Sequence, residues 1–100
     1  MEDTNDKLVT PKTFNLAKEK GYVHSVLSLY IMPSQSYLQK WLREKHKMII
    51  VIDWEGVDGF FYKLNFDSFY DVSGNNSKSY EDCLEIALYE CLQRVSETVA

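Results

Sequence analysis

Apolar residues recur along this chain at two spacings, and the spacing changes from segment to segment. Between Ser79 and Val95 they fall at Cys83, Leu84, Ala87, Leu88, Cys91, Leu92 and Val95. Steps of one, three and four residues place them along about half of a helical cylinder, a wide buried face. Ser79-Tyr80-Glu81-Asp82 opens this run as a capping box would, with Glu81, Asp82 and Glu85 near the positive end of the helix dipole. Leu38, Trp41, Leu42 and the stem of Lys45 form a second helical stripe, begun by Ser34 and placed at 35–46. A third, shorter helix is predicted at 11–20. Thr10 is its cap, Pro11 its first residue, Val9 and Phe14 a hydrophobic staple, and Gly21 its stop.

The spacing falls to two in the middle of the chain. Met48–Trp54 and Phe60–Phe66 flank Glu55-Gly56-Val57-Asp58-Gly59, the pattern of an antiparallel hairpin. In the second strand Phe60, Tyr62, Leu64 and Phe66 share one face, and Phe61, Lys63 and Asn65 the other. Isoleucine, valine and methionine alternate on both sides of the first strand, which predicts that both its faces are at least partly covered. Residues 22–31 fit a helical stripe through Val23, Val26, Leu27, Tyr30 and Ile31, or a strand through Leu27, Leu29 and Ile31. Their β-prone residues and Pro33 favour a strand, a third one beside the hairpin. Asp67–Lys78 is polar and is expected to be a loop pinned by Phe69, Tyr70 and Val72. The prediction is an α+β fold: a small antiparallel sheet, hairpin 48–54/60–66 with a third strand near 22–31, packed against helices near 11–20, 35–46 and 79–95. One hundred residues suit a single domain spanning 1–100, frayed over 1–7.

The stretch Pro33-Ser34-Gln35-Ser36-Tyr37-Leu38-Gln39-Lys40-Trp41-Leu42-Arg43-Glu44-Lys45-His46 resembles a block found in small proteins of gut-bacterial phages and prophages, P-[ST]-Q-S-x-L-Q-K-W-L-R-E-x-H followed by a β segment. Ser79-Tyr80-Glu81-Asp82-Cys83-Leu84-Glu85 is similar to that family's closing [ST]-Y-E-E-A-L-E, with Asp82 for the usual Glu and Cys83 for the usual Ala. The resemblance covers roughly a quarter of the chain and implies a phage-like origin. It implies no activity.

Composition narrows the classes of function. Hydrophobic residues make up 45% and charged residues 26%, a globular balance. The net charge of −4 argues against wholesale coating of nucleic acid or an anionic membrane. No apolar run reaches the roughly 18 residues of a membrane helix. The acidic Met1–Asp6 is unlike a secretory signal, so a cytoplasmic location is expected. His24, His46, Cys83 and Cys91 contain no paired ligand spacing, so no metal is expected. Both cysteines lie in the apolar stripe, eight residues apart, too far for a mutual disulfide and too enclosed for a nucleophile. No phosphate-binding glycine motif is present, and Asp53, Glu55 and Asp58 are expected to be solvated turn acids. Neither a catalytic site nor a cofactor is expected.

Two surfaces remain as candidates. Ile86 and Tyr89 fall outside the main apolar arc of the last helix, beside Glu90 and Gln93, and start an apolar patch of the kind that marks interfaces. Ile86, Tyr89 and Gln93 are therefore the candidate protein interface, for a protein partner or for a second copy in a homodimer. Lys40, Arg43, Lys45, His46 and Lys47 crowd the end of the second helix. They complement its dipole or, in the alternative, meet nucleic-acid phosphates with Tyr37 near by for stacking. Gln35 and Gln39, one turn apart, are expected to be solvated. The function expected is a non-enzymatic protein-interaction module, an accessory or regulatory factor of phage or prophage derivation.

Overall fold

The computed structural model describes residues 7–22, 32–66, 69–72 and 76–95. Helix α1 spans Pro11–Glu19, α2 Gln35–His46 and α3 Tyr80–Gln93. Strands β1 (Ile49–Trp54), β2 (Phe60–Phe66) and β3 (Phe69–Val72) form one antiparallel sheet in the order β1-β2-β3. The fold is α+β, with the predicted hairpin at its centre.

Local chemistry sets the helix ends. Thr10, Ser34 and Ser79 each accept a backbone N–H three residues on, from Thr13, Tyr37 and Asp82. Val9 and Phe14 are both buried, as a staple requires. At the end of α1, Tyr22 N–H reaches the Ala17 carbonyl at 2.9 Å and Gly21 N–H reaches Lys18 at 3.2 Å. This paired closure needs a left-handed residue, and Gly21 supplies it with φ +96°. Helix α2 ends on Lys47 instead, whose φ of +56° is the single positive value among the described non-glycine residues. The amides of Lys47 and Met48 both converge on the Leu42 carbonyl.

The hairpin pairs Ile50 with Leu64, Ile52 with Tyr62 and Trp54 with Phe60, and its turn holds a short 3-10 segment, Gly56–Asp58. Helix α3 packs on β2 and β1, α2 on β1, and α1 against α3. All the helices therefore lie on one side of the sheet. Leu38, Leu42, Leu64, Ala87, Leu88, Cys91 and Leu92 are completely enclosed between them. Trp41 is half-buried at the margin, with its ring edge-on to Tyr22 at 5.3 Å.

Three expectations need correction. The first strand is covered on one face only. Ile49 and Val51 are 46% and 43% exposed, and Asp53 beside them is bound to Lys63 at 3.4 Å on the open side. An antiparallel sheet capped by helices on a single side leaves the other to solvent, whatever its side chains. The segment expected to be a loop contains β3, which pairs Lys63 with Val72 and Asn65 with Tyr70. Gln35 is not solvated but 2% exposed, and Gln39 is half-buried. Gln39 Nε2 donates to the Ile50 carbonyl at 3.1 Å, and Asp53 Oδ1 accepts the Trp54 amide at 2.9 Å. Apart from Tyr22, the strand expected near 22–31 lies outside the described residues.

Candidate protein interface on α3

Helix α3 has two unlike faces. Cys83, Leu84, Ala87, Leu88, Cys91 and Leu92 are buried toward the sheet, while Ile86 is 49% exposed on the far side. Ile86 stands between two hollows. One, of about 310 Å³, separates α1 from α3, with Thr10, Lys12 and Thr13 on one wall and Ile86, Tyr89 and Gln93 on the other. The second, of about 440 Å³, lies toward the start of α3 beside Ser77, Lys78 and Asp82. The three residues singled out from the helical phase thus line a common depression.

Its walls are held by polar contacts. Lys12 Nζ lies 4.3 Å above the Tyr89 ring, within the range of a cation–π contact. Arg94 grips Glu90 at 3.0 Å across one turn. Glu85 forms the floor. Its Oε2 accepts the Thr10 amide at 3.0 Å and the Thr10 hydroxyl at 2.8 Å, and its Oε1 accepts Gln35 Nε2 at 3.0 Å. Burial alone would push the Glu85 carboxyl up. Hydrogen bonds from the Thr13 hydroxyl, the Thr10 amide, Gln35 and the Thr10 hydroxyl outweigh burial and hold it below its ordinary value. Gln35 Nε2 also donates to the Glu81 carbonyl at 2.9 Å. One carboxylate therefore ties α1, α2 and α3 together. This cluster was missed in the sequence, although a signal existed: Gln35 shares the helical phase of Leu38 and Leu42, three and seven residues on.

Of the basic residues at the end of α2, Lys40 and Lys45 border one hollow. Lys40, Arg43, Lys45 and Lys47 are exposed and His46 is half-buried. Tyr37 and Trp41 border a hollow of about 280 Å³ with Lys40, Glu44 and Lys45. Glu44 offsets part of this charge through a solvated ion pair with Lys40 at 3.9 Å. The His46 ring lies edge-on to Trp41 at 4.9 Å. Burial, then the neighbouring Lys45, lowers its pKa and favours the neutral ring.

The thiols are enclosed. Cys83 and Cys91 are free and buried, and burial raises both pKa values, that of Cys91 to about 12. Cys91 Sγ sits 3.3 Å from Met48 Sδ, so it packs as a small apolar side chain. Among the described residues no group of three or more His, Cys, Asp or Glu is placed to hold a metal ion, and no helix is long and apolar enough to cross a membrane. No family model matches the chain, and neither a curated protein nor a solved structure matches it.

Proposed function

We propose that this chain is a small non-catalytic interaction module that pairs with a second copy of itself through the open face of α3. The observation that carries the reading is Ile86, a half-exposed aliphatic knob with a hollow on either side. A face bearing both knob and hole is self-complementary. Under two-fold symmetry each Ile86 seats in its partner's hollow, with Tyr89 and Gln93 completing the contact. Phage or prophage derivation is supported by the resemblance of the Pro33–His46 block; a cytoplasmic accessory or regulatory role is the reading proposed with it.

Light scattering tests the pairing. The wild type should gain mass with concentration toward a dimer. Ile86→Glu, which places a carboxylate on the contact, should stay monomeric with an unchanged circular dichroism spectrum. A wild type that is strictly monomeric at every concentration overturns the proposal.

The runner-up reading is nucleic-acid binding by Lys40, Arg43, Lys45, His46 and Lys47. Its support is the placement of Tyr37 and Trp41 beside Lys40 and Lys45, rings for stacking next to cations for phosphate. The Lys40–Glu44 pair and the net charge of −4 count against it. Single-stranded DNA or RNA should show no mobility shift with the protein at low salt. A shift that fades steeply with added salt and is lost in Arg43→Glu would select this reading instead.

A further inference from the structure

The hairpin reaches beyond the helices that cover it. Along the inner face of β1 the exposure climbs from 5% at Ile50 to 63% at Trp54, with Ile52 half-buried between them. Trp54 stands opposite Phe60 in the register, and directly opposed residues of an antiparallel pair present their side chains on the same face. Phe60 meets Tyr80 edge-on, with ring centroids 6.0 Å apart, and Tyr80 is itself exposed. Trp54, Phe60 and Tyr80 thus form an aromatic shelf at the turn end of the hairpin.

The rim of the shelf is acidic. Glu55 and Asp58 are exposed in the turn that follows Trp54, with Val57 fully exposed between them. Asn76 Nδ2 donates to Glu55 Oε1 at 2.9 Å and fixes that carboxylate in place. Of the cations near by, one is ion-paired and the other lies toward a different hollow. Lys63 pairs with Asp53 on the opposite face of the sheet, and Lys78 borders the hollow beside Asp82 and Ile86. An exposed indole next to two carboxylates attracts cations twice, through the ring face and through charge.

We propose that this shelf docks an extended basic segment of another protein. Its Arg or Lys side chains lie over the Trp54 ring and pair with Glu55 and Asp58, and their aliphatic stems cover Val57. Nucleic-acid bases would find the same rings, but the two carboxylates repel phosphate, so the sign of the rim selects the peptide. The site is independent of pairing through α3.

The test is titration with an alternating Arg-Leu hexapeptide, followed through the two tryptophan indole N–H signals in NMR spectra. The Trp54 signal should move and that of half-buried Trp41 should not. Trp54→Ala, at a position too exposed to support the core, should weaken binding about tenfold. Glu55→Gln combined with Asp58→Asn should also weaken it and flatten its dependence on salt. Ile86→Glu should leave the affinity unchanged, which separates this site from the α3 face. Equal affinity in Trp54→Ala, or equal binding of the peptide with Glu in place of Arg, overturns the proposal.

Discussion

Leu88→Ala is expected to cost the folded state about 2–5 kcal/mol, the range for emptying a buried leucine site that collapses only in part. Leu88 is completely enclosed on the face of α3 that packs against β2 and β1. The cost has two parts: the transfer of the lost methine and two methyl groups, and the contacts forfeited around the void. Domains of this size have about 5–15 kcal/mol in all, so the variant should unfold tens of degrees earlier or be only partly folded at 37 °C. Ile86→Ala, two residues away but on the open face, should move the monomer's stability by about 0.5 kcal/mol or less. Urea denaturation of the two variants side by side checks the contrast. Equal losses would mean that the two faces of α3 are wrongly assigned.

Glu85→Ala should destabilise the protein by about 2 kcal/mol, although no apolar contact explains it. A hydrogen bond to a charged group contributes more than a neutral one, and donors left behind in a buried site keep their desolvation penalty. Gln35, 2% exposed, would lose one of its two acceptors, and the Thr10 amide at the cap of α1 would lose its carboxylate. Glu85 is only partly buried, so water screens the carboxylate and limits the loss. The pH dependence follows from the sign of the shift. The folded-state pKa lies below the ordinary 4.5, so this stabilisation is fully present above 4.5 and is lost as pH falls through the folded value. In Glu85→Gln that acid-sensitive component should be missing. Denaturation midpoints measured between pH 7 and pH 3 should therefore converge for wild type and variant at the acid end. Parallel curves across the range would show that the carboxylate is not held in its charged form.

Most of the scaffold was legible in the sequence because its signals are local. Ser34 and Ser79 mark the starts of α2 and α3 by side-chain caps that act within four residues. The hairpin is announced by two alternating runs around Gly56 and Gly59. β3 was hidden because four residues are too few to display alternation, and its ladder to β2 is a relation between segments. The exposure of Ile49 and Val51 was hidden for a similar reason: composition says that a strand is apolar, but not on which side the helices lie. That Ile86, Tyr89 and Gln93 share one side of α3 was legible from helical phase alone. Glu85 and Thr10 are 75 residues apart, and no periodicity within one helix announces a carboxylate that serves the end of another. Trp54 passed as a strand residue, because sequence carries no measure of where the covering helices stop.

The hydrogen bonds from Gln39 to the Ile50 carbonyl and from the Trp54 amide to Asp53 have a consequence for self-recruitment between copies at high concentration. Ile49-Ile50-Val51-Ile52 is the sort of short, uncharged, β-branched run that seeds fibrils when its main chain is free to recruit copies. Each plugged group is one rung fewer for an incoming strand. Two polar side chains thus act as gatekeepers, letting the chain keep a greasy ribbon near its surface without inviting amyloid-like growth.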